Sequence, residues 1–172
     1  MRLLPRLALL SAVLIAPAVS AQQQQARPRK LGDFQSWIAA TYMEGGQKVC
    51  YAFAKASRSE GPARQGVLLT VTHRPNGRDT VTMSAGYTYP RNAEVVSTVS
   101  ANEMPFYTAG STAAARDGAA VVRAFRNGRE AVLRGPGANG RGMVSDIFPL
   151  AGFSGAYEAI SKECPPAGGT RR

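Results

Sequence analysis

The stretch Gly45-Gly46-Gln47-Lys48-Val49-Cys50-Tyr51-Ala52-Phe53 decides how this chain folds. Its two glycines predict a turn, and the alternation of side chains after them predicts a strand over residues 47–55. The strand carries Cys50, one of two cysteines in the 172-residue sequence, and the other, Cys164, comes at the end of the foldable region. A bond between the two would therefore close nearly the whole domain.

The first 21 residues have the composition of a secretory signal peptide. Arg2 and Arg6 form a basic start, residues 7–16 are almost entirely apolar, and residues 19–21 (Val-Ser-Ala) place small side chains at the usual cleavage position. The apolar run is too short to span a membrane comfortably, and no later segment is long and apolar enough to do so. We therefore expect cleavage after Ala21 and a soluble protein that is periplasmic or secreted.

Export bears directly on the two cysteines, because disulfides form and persist in oxidising compartments. We expect a Cys50–Cys164 disulfide, which would stabilise the fold by about 4 kcal/mol in the chain-entropy account. A reactive thiol pair would need a Cys-x-x-Cys spacing or a flanking basic pocket, and the sequence has neither. The predicted bond is therefore structural.

The remaining chain fits one domain. Residues 22–30 (QQQQARPRK) are polar and basic and predict a disordered leader. Structure is expected over residues 31–164, followed by a flexible tail over residues 165–172. The formal net charge of +10 comes mostly from arginine, which indicates either genomic base composition or attraction to anionic surfaces such as lipopolysaccharide, acidic glycans or nucleic acid.

Alternating apolar and polar residues predict a mainly β domain. Residues 34–41 predict one extended segment, with Trp37 as a plug of the core or of a sheet edge. Residues 57–65 predict a loop, Asn76-Gly77 a type I′ hairpin turn, and Pro105 an edge strand. The other predicted strands cover residues 67–73, 79–87, 93–100, 130–134 and 143–148.

Two segments have the periodicity of helices. Asp117 predicts the cap of a short helix near residues 117–127, and Asn127-Gly128 predicts a left-handed stop. Near residues 150–163, apolar side chains recur on one helical face that ends at Cys164. The C-terminal helix would therefore be tethered to the Cys50 strand.

Few residues point to catalysis, metals or cofactors. His73 is the only histidine. A catalytic His73 would need a nucleophile and an acid brought close by the fold; Ser84 and Asp79 on the paired strand are conceivable, but no Gly-x-Ser-x-Gly motif occurs. No cluster of metal ligands is apparent, and no cofactor is expected. Residues 135–140 match Gly-x-Gly-x-x-Gly formally, but a strand follows them, so they predict a hairpin loop.

The densest basic run supplies the candidate binding residues. The run comprises Arg116, Arg123, Arg126, Arg129, Arg134 and Arg141. The candidates are the first four, which would lie on or beside the first helix. They form either a solvated helix face or a site for an anionic partner, such as an envelope component or another protein. No exposed aromatic residues are interleaved with them, so nucleic acid is not the expected partner.

Several motifs carry a family resemblance. They lie at residues 45–51, 71–75, 117–128, 130–135 and 146–153, followed by Ala156, Tyr157 and Cys164. With these motifs, residues 31–164 resemble the invasion-associated locus B family of exported alphaproteobacterial proteins. The resemblance implies a β-sandwich of immunoglobulin-like outline and a periplasmic or surface location. That family is named for a role in host-cell invasion by pathogens, and it offers no catalytic residues to carry over.

Together these observations predict an exported, disulfide-linked β-sandwich with two helices that is not an enzyme. The leading hypothesis is a protein that binds an envelope or host-side partner. The alternatives are a structural or stress-protective periplasmic module without a specific ligand, and an envelope hydrolase.

Overall fold

The computed structural model describes residues 27–166. The predicted signal peptide, residues 22–26 of the predicted leader and residues 167–172 of the predicted tail lie outside the described residues. The strands are β1 (Arg29–Phe34), β2 (Trp37–Glu44), β3 (Gln47–Lys55), β4 (Arg58–Glu60), β5 (Leu68–Arg74), β6 (Gly77–Ser84), β7 (Glu94–Val99), β8 (Asn102–Ala109), β9 (Thr112–Ala115), β10 (Glu130–Pro136) and β11 (Met143–Pro149). The helices are α1 (Gly118–Asn127) and α2 (Phe153–Glu163).

The described strands form one antiparallel 11-stranded sheet with the order β1-β2-β3-β5-β6-β9-β8-β7-β10-β11-β4. Strand β4 follows β3 after two residues, yet it pairs with β11, where Arg58 lies opposite Ile147. Because β3 and β4 are nearly one strand, this pairing bends the sheet back on itself and brings its halves together over one core. The predicted mainly β, sandwich-like class with two helices and one disulfide is confirmed.

Helix α2 covers the inner side of β1, β2 and β3. The inward side chains there are small, among them Ala39, Cys50 and Ala52, and this leaves room for a helix. Phe153 of α2 packs edge-on against Trp37, with ring centroids 4.9 Å apart. Trp37 is fully buried and its indole N–H donates to the carbonyl of Pro149 at 2.9 Å, so it is a core plug as predicted.

Helix α1 begins as predicted and ends differently. The Asp117 carboxylate accepts a hydrogen bond from the Ala120 N–H at 2.9 Å, which caps the first turn. Gly128, however, is extended (φ −93°), so the predicted left-handed stop is wrong. A glycine is needed there because a Cβ atom would collide with the side chains of Val99 and Leu150. Helix α2 was predicted to begin near residue 150. It begins at Phe153, because Gly152 before it has a left-handed backbone (φ 89°).

The extended segment predicted over residues 34–41 is wrong. It is two strands of a hairpin, in which Phe34 pairs with Trp37 across a two-residue turn. Gln35 adopts φ 53° in that turn. Residues other than glycine and asparagine rarely adopt this left-handed backbone conformation. A glutamine at this position therefore gives no turn signal in the sequence. Strand β1 also begins at Arg29, two residues before the predicted start of the domain.

Two further segments differ from the predictions. The loop predicted over residues 57–65 contains β4. Pro105 lies in β8, which is paired on both sides, so the predicted edge strand is wrong. The Pro105 carbonyl accepts from the Arg116 N–H at 3.1 Å, just past the end of β9 at Ala115. The nitrogen of Pro105 faces the same side, where the ladder has ended and no donor is needed.

The β5–β6 hairpin is present, but its turn is not the predicted type I′. Arg74 pairs with Gly77, so Pro75 and Asn76 form the turn, and proline cannot adopt a positive φ. The register of the hairpin shifts at a bulge opposite His73, between Thr72 and Arg74, and Asp79 in this bulge has φ 54°.

Candidate functional site

The disulfide joins the inner sheet face to the end of the last helix. Cys50 on β3 is fully buried and bonded to Cys164, which caps α2, with 6.0 Å between their Cα atoms. The predicted pairing is confirmed.

A buried polar cluster lies beside the disulfide, around His73. The β5–β6 bulge turns Asp79 towards His73, which is opposite Cys50 in the β3–β5 ladder. The His73 Nε2 atom lies 3.1 Å from the Ser161 hydroxyl, and its Nδ1 atom lies 3.8 Å from an Asp79 carboxylate oxygen. The structure therefore brings His73 and Asp79 together, as the sequence allowed. The serine beside them is Ser161, however, and not Ser84. Ser84 instead pairs with Leu68 on the outer side of the sheet.

The hydrogen bonds of His73 have the opposite donor and acceptor roles to those of the catalytic histidine in a serine hydrolase. The backbone N–H of Asp79 donates to Nδ1 at 3.3 Å, so Nδ1 carries no hydrogen. The hydrogen is then on Nε2, which donates to Ser161, whereas a general base must accept a proton from the serine. Burial and the nearby Arg78 lower the pKa of His73 to about 4, so the ring is neutral at pH 7.

The neighbours of His73 connect three elements. The Tyr157 hydroxyl donates to Asp79 at 2.7 Å, and Arg78 donates to Ser161 at 3.2 Å and to the Cys164 carbonyl at 2.5 Å. The Arg126 guanidinium of α1 lies over the Tyr157 ring, 4.7 Å from its centroid. These contacts bind α2 to β6 and α1, which is a structural role. Ser161 and Tyr157 could have been suspected because the predicted helix ends beside the Cys50 strand.

A second buried polar contact holds the closing strand β4. Arg64 donates to both carboxylate oxygens of Asp146, at 2.7 and 3.1 Å, and both side chains are almost fully buried. Ser59 of β4 donates to the same carboxylate at 2.6 Å. The pair thus ties the segment after β4 to β11. Among the described residues, no group of three or more His, Cys, Asp or Glu side chains could hold a metal ion.

The structure separates the four candidate arginines. Arg116 pairs with Glu94 at 3.0 Å near the end of β9, and Arg126 lies over Tyr157. Arg123 and Arg129 line two adjacent grooves of about 410 and 470 Å³ that share Asn127. Glu103 lines the first of these grooves and Glu130 the second, so both carry mixed charge.

A third groove, of about 370 Å³, lies on the outer side of the sheet over β2, β3 and β5. We call its lining the aromatic face: Tyr42, Tyr51, Phe53, Leu68, Thr70 and Thr72. The rings of Tyr51 and Phe53 are near parallel, with centroids 6.0 Å apart and planes at 24°. The ring of Tyr42 stands edge-on to Tyr51 at 5.7 Å.

Strand alternation explains why these rings point outward. Successive side chains of a strand point to opposite faces, so the inward Cys50 and Ala52 send Tyr51 and Phe53 outward. Thr72 lies opposite Tyr51 and Thr70 opposite Phe53 in the β3–β5 ladder. The alternation was visible in the sequence, but its direction was left open. The signal was the disulfide, because a cysteine bonded to the last helix must face that helix.

One charged pair borders the aromatic face. Arg74 and Glu44 form an ion pair at 2.8 Å, and the Tyr42 hydroxyl donates to Glu44 at 2.9 Å. The hydrogen bond from Arg74 lowers the pKa of Glu44, and burial raises the pKa of Tyr42. Tyr42 is therefore neutral near pH 7, and the lining carries no net charge.

Comparison with known proteins identifies the family. A family model described as invasion associated locus B (IalB) protein matches residues 37–161, which hold the disulfide strand, the His73 cluster and the aromatic face. No curated protein and no solved structure matches the chain. No helix in residues 27–166 is long and apolar enough to cross a membrane. The chain belongs to the invasion associated locus B family.

Proposed function

We propose that this protein is an exported, non-enzymatic binding protein that holds its partner on the aromatic face. The observation that carries the proposal is an open groove lined by three aromatic rings on strands that are paired on both sides. Grooves of this volume with aromatic walls and a few hydroxyl groups are typical of ligand sites.

The predicted signal peptide and the disulfide support a periplasmic or surface location, since such bonds persist in oxidising compartments. The tautomer of His73 supports a role other than hydrolysis, because Nε2 donates to Ser161 and is not free to accept its proton. Hydrolysis of any ester, amide or glycoside that is lost in His73→Ala, with the fold intact, would contradict the non-enzymatic role.

The proposal is tested by retention of envelope components from the protein's own cells. Purified tagged protein is incubated with gently solubilised envelope and compared with Tyr51→Ala/Phe53→Ala and with Arg123→Glu/Arg126→Glu. We expect the aromatic variant to lose a specific component and the arginine variant to keep it. Unchanged retention in the aromatic variant would contradict binding through this face.

A second candidate is an anionic partner at α1, which the adjacent grooves lined by Arg123 and Arg129 support. The same experiment separates the two, because loss in the arginine variant alone would favour this site. Absence of any retained component would favour a structural or stress-protective module without a specific ligand.

A further inference from the structure

The chemistry of the aromatic face narrows the class of its ligand, and this step rests on the proposed function above. The whole chain has a formal net charge of +10, yet the groove is lined by three rings, one leucine and two threonines. At its border, Arg74 is already paired with Glu44. Lys55, at the end of β3 and opposite Leu68, is a further cation beside it, and Lys30, on the same face of β1, is paired with Asp33. The lining therefore offers no cluster of cations to an anionic ligand.

Several ligand classes do not fit this surface. A peptide strand cannot add to the sheet here, because β3 is paired with β2 on one side and β5 on the other over the ring-bearing residues. Single-stranded nucleic acid needs cations beside its stacking rings. An acyl chain would leave the hydroxyl groups of Thr70, Thr72 and Tyr51 without partners.

Two of the three rings instead lie beside a threonine hydroxyl group. Thr72 lies beside Tyr51 and Thr70 beside Phe53, and the pattern repeats after two residues, about 6.6 Å along a strand. The hydroxyl groups continue across β6, where Thr80 lies opposite Thr72 and Thr82 opposite Thr70. A pyranose ring has the complementary surface, since it has apolar C–H groups on its faces and hydroxyl groups at its rim.

We propose that the aromatic face binds a neutral glycan chain, with its sugar rings packed on Tyr51 and Phe53 and its hydroxyl groups bonded to Thr70 and Thr72. The groove volume of about 370 Å³ is near the lower end of ligand sites, at about 300–1,000 Å³, so it holds a short segment of the chain. The glycan lies along β3, so that successive sugar rings meet Tyr51 and Phe53, and the threonines of β5 flank the chain.

The test is calorimetric titration of the purified protein with two neutral oligosaccharides, cellohexaose and chitohexaose, and with heparin as the anionic comparison. We expect saturable binding of at least one neutral oligosaccharide that heparin does not displace. Tyr51→Ala should weaken it by at least about tenfold, since truncated central aromatic contacts are among the costliest at binding sites. Tyr51→Phe keeps the ring and should weaken it by less than about threefold, because the proposed contact of Tyr51 is made by its ring and not by its hydroxyl group.

Tyr107→Ala, which removes an exposed tyrosine of β8 outside the groove, is the matched control, and thermal unfolding is recorded for every variant. Absence of neutral oligosaccharide binding, or equal binding by Tyr51→Ala, overturns the glycan inference. If Tyr51→Ala/Phe53→Ala still loses an envelope component in that case, the proposed binding function stands and only the ligand class is wrong. If envelope retention is also unchanged, both fail.

Discussion

The two faces of β3 and β5 carry different kinds of side chain with different surroundings. On the inner face, Cys50 and His73 are fully buried and bonded to α2, through the disulfide and through Ser161. On the outer face, Tyr51, Phe53 and Thr70 are partly exposed and line a groove. The reactive residue types are thus on the side where they stabilise the fold. The residues of the open side are aromatic rings, a leucine and threonines.

The largest effect is expected from removing the disulfide. Cys50→Ala/Cys164→Ala releases a constraint across a sequence separation of 114 residues, which should lower the free energy of unfolding by about 4 kcal/mol. Urea denaturation of the variant, and of the native protein with and without reductant, measures the loss. A denaturation midpoint that does not move would show that the contacts of α2, without the bond, hold the inner face.

Two adjacent leucines provide a matched comparison between the faces. Leu69 is fully buried and faces inward, while Leu68 lines the groove. Leu69→Ala should lower stability by about 2–5 kcal/mol because it leaves a cavity, and ligand retention by the folded fraction should not change. Leu68→Ala should lower stability by less than about 1 kcal/mol and weaken retention. Equal effects of the two changes on both measurements would contradict the division of roles.

The pH dependence of stability tests the buried His73. Its pKa is about 4 in the folded state, against an ordinary value of 6.5, so between these values the unfolded chain binds more protons. The contribution of neutral His73 to the free energy of unfolding should be fully present above pH 6.5. It should fall by at most about 3 kcal/mol as the pH drops to 4. The difference between native protein and His73→Gln in urea midpoint, followed from neutral pH down to about pH 4, isolates this effect. A constant difference would mean that the histidine titrates normally.

The smallest expected change in stability comes from two arginines of α1. Arg126→Ala removes the contact over the Tyr157 ring and should lower stability by about 0.5–1 kcal/mol. Arg123→Ala should change stability by less than about 0.5 kcal/mol, as is usual for an exposed surface change. Thermal unfolding of the two variants side by side is the measurement. A larger loss for Arg123→Ala would reverse their assignment.

The sequence predicted the features that depend on neighbouring residues. With two cysteines there is only one connectivity, and the helical face ending at Cys164 fixed what Cys50 would bond to. Asp117 was identified as a cap because it bonds to an N–H three residues away. Strand β3 was predicted with its observed bounds, since its turn and its alternation are local signals.

The errors have a common physical reason. Strand β4 has a polar composition and exists because it pairs with β11, nearly ninety residues later. Gln35 adopts a left-handed conformation because the hairpin around it requires one. The sequence alternation left open which face of β3 points inward, although the predicted disulfide implied it.

The sequence by itself determined the mainly β class, the two helices and the disulfide, because each rests on local periodicity or on the count of cysteines. The tertiary structure decided the rest. It placed Ser161 and Asp79 on either side of His73, chose the tautomer that makes them a structural contact, and turned three aromatic rings to the outside. These depend on contacts between distant segments and on which face of each strand the helices cover, and no local pattern encodes either.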